Sequence, residues 1–219
     1  MIIKARNLSK QILFNKEKLN ILSDINLDVE EASSIAITGP SGSGKSTLLS
    51  ILAGLDLPSS GEVFLADEPL HSLSEEKRAL VRKDSVAFVF QNFELLPGLT
   101  ALENVMLPLE LKAKKKAKEV AKNFLIKVDL QDRINHYPKQ LSGGEQQRVA
   151  IARAFACEAK VLFCDEPTGN LDSKNSQLVV DLLFDSYKDS SSALVIVTHD
   201  KQLASRCDRE LELVSGKVV

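Results

Sequence analysis

Four short apolar runs constrain this chain more than any other feature: Ser34–Thr38 (SIAIT), Val86–Phe90 (VAFVF), Val161–Cys164 (VLFC) and Leu194–Thr198 (LVIVT). Each is four or five residues long and rich in Val, Ile and Phe, too short for a helix and suited to a strand. Uninterrupted apolarity means that both faces are buried, as in the centre of a parallel sheet covered by helices. Each run ends in polar chemistry: Gly39 opens a glycine-rich loop, Gln91 follows Phe90, Asp165 and Glu166 follow Cys164, and His199 follows Thr198. Ligands of open α/β sheets sit outside the carboxyl ends of the strands, so these groups are expected at one edge.

Alternating segments at Ile25, Leu27 and Val29, at Val63 and Leu65, and at Leu211 and Leu213 before Ser215-Gly216 predict half-buried antiparallel strands that close with a hairpin in a second, smaller sheet. Between Thr100 and Ala156 the apolar period turns helical, through Leu102, Val105 and Met106, then Phe124, Leu125 and Val128, then Val149, Ile151, Ala152 and Phe155. The fold expected is therefore α/β: a mainly parallel core sheet, a small antiparallel β subdomain and an inserted α-helical subdomain over about 92–157, in one domain spanning 1–219.

Composition narrows the partners. With 28 Lys plus Arg against 30 Asp plus Glu the net charge is −2, so no nucleic-acid partner is expected. The lysine run at Lys112, Lys114–Lys116 and Lys118 has no interleaved aromatics and is flanked by Glu110 and Glu119, which suits a solvated helix face. Three cysteines, Cys157, Cys164 and Cys207, lack disulfide or zinc spacing and point to a reducing cytosol. Charges at Lys4, Arg6 and Lys10 argue against a signal peptide, and the longest charge-free stretch, thirteen residues from Ala32 to Gly44, is too short and too broken by Gly and Pro to span a bilayer. Any membrane role is expected to need another chain.

Gly39-Pro40-Ser41-Gly42-Ser43-Gly44-Lys45-Ser46-Thr47 fits G-x-x-x-x-G-K-[ST] between a buried strand and a helical pattern. Glycines let successive N–H groups turn toward phosphate oxygens, and the helix terminus adds partial positive charge. Lys45 would reach the β- and γ-phosphates, and the Ser46 hydroxyl would ligate Mg²⁺. Asp165 suits an Mg²⁺ role, and Glu166 a water aimed at the γ-phosphate; two acids after a strand also suit a solvated turn, and the upstream loop favours the chemical reading. Ser142-Gly143-Gly144-Glu145 is a capping box at a helix start, and its glycines also offer a second anion site.

Leu141-Ser-Gly-Gly-Glu-Gln-Gln-Arg148 resembles the signature motif of ABC-type ATPases. In the order of that family stand a P-loop (Gly39–Thr47), a Q-loop glutamine (Gln91), a Walker B segment (Val161–Glu166), a D-loop (Gly169–Asp172) and a switch histidine (His199), so the resemblance covers nearly the whole chain. It implies ATP and Mg²⁺ as ligands, with Gln91 near Mg²⁺ or the attacking water, His199 at the γ-phosphate and Asp172 at a dimer interface. It further implies a head-to-tail homodimer in which the P-loop of one copy and the signature helix of the other share each ATP, which accounts for two anion sites in one chain.

Residues Gln91–Val105, Leu107-Pro-Leu109 and Thr168–Asp172 are similar to the branch with lipoprotein-release, macrolide-exporter and cell-division ATPases, which implies an integral membrane permease partner and, through it, a peripheral place for this chain at the cytoplasmic face of the inner or plasma membrane. A regulatory ABC ATPase that signals through such a partner without moving a solute is the alternative. Phe93, Leu95, Leu96 and Leu99 are either subdomain core or the lining of a groove for that partner. The pattern departs from the family in two places. Phe14 stands in for the usual adenine-stacking tyrosine, or is a buried strand residue. The turn Glu31-Ala32-Ser33 lacks the usual glycine, which is expected to cost ~1 kcal/mol of stability.

Overall fold

A computed structural model describes residues 1–14 and 17–219, apart from the side chain of Phe14. Adenine stacking by Phe14 therefore falls outside the described residues. The strands in chain order are β1 (Ile3–Phe14), β2 (Glu17–Val29), β3 (Ser34–Thr38), β4 (Ser60–Leu65), β5 (Glu68–Pro69), β6 (Val86–Phe90), β7 (Val161–Asp165), β8 (Ala193–Val197), β9 (Arg209–Val214) and β10 (Lys217–Val218). The α-helices are α1 (Lys45–Leu52), α2 (Glu75–Ser85), α3 (Ala101–Leu111), α4 (Ala117–Lys127), α5 (Gly143–Ala156), α6 (Ser173–Lys188) and α7 (Lys201–Ala204).

All four apolar runs become neighbouring strands of a six-stranded sheet ordered β10-β9-β3-β8-β7-β6. Pairing is parallel throughout except at β9–β10. Register sets the strand ends in one row: Ile37 lies opposite Val197, Val197 opposite Asp165, and Asp165 opposite Phe90. The residues that follow these positions thus emerge together at the carboxyl edge, where helices and backbone donors converge.

The smaller sheet, ordered β2-β1-β4-β5, is antiparallel. Its inward Ile3, Ala5, Leu8, Ile25 and Leu27 pack with Leu48, Ile51 and Leu52 of α1 and with Phe163 and Val195, so the two sheets share one core. Leu211 and Leu213 belong not to the smaller sheet but to β9, which pairs in parallel with β3. Their alternation has a different physical cause: Leu211 and Leu213 face the core, whereas Glu210 and Glu212 face outward, and Glu210 accepts a hydrogen bond from the Thr38 hydroxyl at 2.7 Å. One-sided burial of a strand gives period two whichever way it pairs.

Between β6 and β7 the chain makes α3, α4 and α5, whose Leu102, Val105, Leu109, Leu125 and Val149 form a separate apolar cluster. Thr100 with Glu103 and Ser142 with Glu145 close capping boxes at the starts of α3 and α5. The two faces of α5 do different jobs. Val149, Ala152 and Ala156 join the helical cluster, and Ile151, Ala154 and Phe155 pack against Val89, Leu162 and Cys164 of the sheet. Ala32 does take a left-handed conformation, φ 52°, at the turn where glycine is usual.

Candidate active site

The loop between β3 and α1 is shaped by two glycines that nothing larger can replace. Gly39 has φ 136°, and a Cβ there would lie 2.0 Å from the Leu213 carbonyl oxygen. Gly44, the residue before α1, has φ 100°, and its Cβ would meet the Ile21 carbonyl oxygen at 2.9 Å. Both are conformations that an L side chain resists. The β9–β10 hairpin also braces the loop, because the Gly216 N–H donates to the Ser43 carbonyl at 3.1 Å. Inside the loop Lys45 is 8% exposed, and its ammonium donates to the carbonyls of Gly39 at 2.8 Å and Pro40 at 3.0 Å. The Ser43 hydroxyl is buried with no hydrogen-bond partner among the described residues, whereas Pro40, Ser41 and Gly42 are exposed at the rim and Thr47 lies half-buried in α1.

Asp165, the last residue of β7, accepts a hydrogen bond from the Ser46 hydroxyl at 3.2 Å. Burial raises the Asp165 pKa; the Ser46 hydroxyl opposes that shift, and the neighbouring Glu166 charge adds to it. Glu166 sits at φ 46°, fixed by its own N–H on the Val197 carbonyl at 2.9 Å. Its Oε2 lies 3.0 Å from Nδ1 of His199. The Glu166 side chain is 16% exposed and that of His199 72%, so the acid is sheltered beneath an open imidazole.

Gln91 stands exposed beyond β6. Its Nε2 donates to Asn170 Oδ1 at 3.3 Å, and Asn170 Nδ2 donates back to the Gln91 carbonyl at 3.0 Å. Asp172 caps α6, accepting from the N–H groups of Lys174 and Asn175 and from Asn175 Nδ2, and these bonds lower its pKa. The structure thus gathers the loop residues, Asp165, Glu166 and His199 into one constellation and ties Gln91 to the neighbouring 169–172 segment. Ser142–Glu145 form a group of their own: the Glu145 carboxylate accepts from the Ser142 N–H and from Arg133, the Ser142 hydroxyl accepts from the Glu145 N–H, and a Cβ on Gly143 or Gly144 would meet Leu171 and Phe93 or Asn175 respectively.

Two positioning groups carry no motif signal. Asn104, 1% exposed, receives the Leu96 N–H at 2.8 Å and donates to the carbonyls of Leu96, Leu99 and Thr100, clamping the loop before α3. Arg153 of α5 donates to the carbonyls of Phe93 and Glu94, which both hold positive φ, and so fixes the turn just after Gln91. Of the apolar residues in that segment, Leu95 packs on the helical cluster and Leu96 is 45% exposed.

At the start of α5, Glu145 has a strongly displaced carboxyl. Burial opposes its ionisation, but the Arg133 guanidinium and the Ser142 donors outweigh that and hold its pKa at about 2, below the usual 4.5. A carboxylate lowered in the folded state stabilises it fully above the unfolded value, and that stability is lost as pH falls toward the folded value. The unfolding temperature of wild type is therefore expected to exceed that of Glu145→Gln at neutral pH, and calorimetry is expected to find the gap closing between about pH 4.5 and about pH 2. A gap that stays constant into acid contradicts the assignment.

The fold and the row of strand ends define the P-loop nucleoside-triphosphatase class of α/β proteins. The family model described as ABC transporter matches residues 22–169. The chain is 51% identical over 219 residues to the uncharacterized ABC transporter ATP-binding protein YbbA of Escherichia coli K12, covering 99% of this chain and 96% of that protein. It is 44% identical over 221 residues to the lipoprotein-releasing system ATP-binding protein LolD of Francisella tularensis, covering 100% and 96% respectively. The dimeric structure of a post-hydrolysis state of the ATP-binding cassette MJ0796 bound to ADP and Pi matches with TM-score 0.91 at 39% identity, covering 99% of this chain and 96% of that one. The chain belongs to the ABC transporter family and is an ABC-type ATPase domain. Among the described residues, no helix is long and apolar enough to cross a membrane.

Proposed function

We propose that this chain, as one domain over 1–219 with its helical subdomain at about 92–157, is the ATP-hydrolysing subunit of an ABC transporter. It closes as a head-to-tail homodimer on two Mg-ATP and drives a separate integral membrane permease from the cytoplasmic face. The observation that carries the reading is the single row of strand ends bringing Asp165, Glu166 and His199 beside the Gly39–Thr47 loop.

In this reading the loop N–H groups and the Lys45 ammonium bind the phosphates, since Lys45 is buried with its charge held at the loop. A hydroxyl and a carboxylate, Ser46 and Asp165, present the hard oxygen donors that Mg²⁺ prefers, with Gln91 as a further oxygen donor. Bound there, Mg²⁺ would neutralise phosphate charge. Glu166 accepts the proton of the attacking water, and His199, against the same carboxylate, orients the γ-phosphate. The start of α5, Ser142–Glu145, meets the nucleotide held by the partner copy: the capping box takes the N–H groups of Ser142 and Glu145 and sets the turn, those of Gly143 and Gly144 are offered to the nucleotide, and Asp172 lies at that interface.

The membrane partner is supported by the naming of the Francisella relative as part of a lipoprotein-releasing system and by the exposed Leu96 beside the Gln91 segment. Purifying tagged Glu166→Gln from native membranes in Mg-ATP tests it. Co-purification of a permease with extracytoplasmic domains is expected; recovery of the ATPase alone after gentle solubilisation contradicts the transporter reading.

A further inference from the structure

One fully buried polar side chain has no part in the chemistry above. Gln147, in the second turn of α5, is 0% exposed. Its Nε2 donates to the Pro167 carbonyl at 2.6 Å, and its Oε1 is buried without a hydrogen-bond partner among the described residues. An unpaired buried acceptor costs ~1–3 kcal/mol, so packing alone does not favour glutamine over methionine or leucine at this place. What the amide does is hold the Pro167–Thr168 peptide, one peptide beyond Glu166, and with it the turn that Glu166 opens.

That turn is otherwise lightly tethered. The Glu166 N–H is held by Val197 on one side, and the Glu166 carbonyl accepts from Gly169 at 3.0 Å within the same turn. Gln147 supplies the tie to a different element, α5. The amino end of α5 also abuts the far end of the segment: a Cβ on Gly144 would lie 2.8 Å from Asn175 Oδ1, and Asn175 Nδ2 donates to Asp172. The first two turns of α5 therefore reach Pro167 directly and Asp172 through Asn175.

We propose that Gln147 is a positioning residue that fixes the Glu166–Pro167 turn to α5, so that nucleotide engaged at the amino end of α5 sets the Glu166 of the same chain. The inference rests on the head-to-tail reading above. In such a dimer α5 of one chain meets the nucleotide of the other, while Glu166 serves the nucleotide on its own loop. Gln147 then couples the two sites, and removing its donor lowers both turnover and the cooperativity between them.

Gln147→Met keeps the length and burial and removes the donor. Its expected kinetics are a kcat about 10- to 100-fold below wild type, a Hill coefficient falling toward about one, and half-saturating ATP changed by less than about threefold. Because Gln147 acts through Glu166, adding Gln147→Met to Glu166→Gln is expected to leave the residual rate unchanged. Gln147→Glu gives an independent reading: a buried carboxyl donates to Pro167 only when protonated, so its kcat relative to wild type rises as pH is lowered from about 8.5 to about 6.5. Wild-type kcat in Gln147→Met, an undiminished further loss in the Glu166→Gln background, or a pH-independent ratio for Gln147→Glu each overturns the proposal. If wild type stays monomeric in Mg-ATP and hydrolyses without cooperativity, the dimer reading fails, and the proposal fails with it for that separate reason.

Discussion

Glu166→Gln is expected to hydrolyse ATP ~10²- to 10⁴-fold more slowly than wild type while binding it as well, because it deletes a proton acceptor and little else. The backbone geometry does not depend on the carboxylate: φ 46° at this position is held by the 166 N–H on Val197 and by the Gly169 N–H on the 166 carbonyl. The amide also keeps the shape of the group facing His199. Single-turnover hydrolysis under saturating Mg-ATP reads the chemical step directly. A variant that turns over like wild type removes Glu166 from the role of base.

Lys45→Ala is expected to weaken ATP binding by ~10- to 100-fold, the equivalent of one hydrogen bond to a charged group at ~1.5–3 kcal/mol. In the structure the ammonium bridges the carbonyls of Gly39 and Pro40 from a nearly buried position, so the charge cannot be supplied from elsewhere in the loop. Loop shape is set independently by Gly39 and Gly44, whose conformations exclude a Cβ. Titration calorimetry with ATP checks this, and an affinity within twofold of wild type contradicts it.

The site was legible in the sequence to the extent that its chemistry ends a strand or opens a helix. Gln91, Asp165, Glu166 and His199 each follow an apolar run, and parallel register does the rest by placing Phe90, Asp165 and Val197 in one row. What escaped is what side chains do at a distance in sequence. Residues 75–85 carry little apolar periodicity, yet they form α2, because Arg78 reaches the Leu73 carbonyl at 2.7 Å and Arg82 the Gly54 carbonyl at 2.6 Å. Asn104 and Gln147 are polar residues inside helical patterns, and only the tertiary structure reveals the carbonyls they serve. The misplacement of Leu211 and Leu213 has the same origin: alternation reports which face is buried, not which strand lies alongside.

In the proposed dimer one chain holds only half of each ATP site, its Gly39–Thr47 loop serving one nucleotide and its α5 the other. The mass of Glu166→Gln by sedimentation equilibrium, with bound nucleotide counted on the same sample, tests it most directly. The expected species are the 24.0 kDa monomer without nucleotide and, in Mg-ATP, a dimer of twice that mass carrying one ATP per chain. A monomer that remains monomeric with its nucleotide site saturated contradicts it.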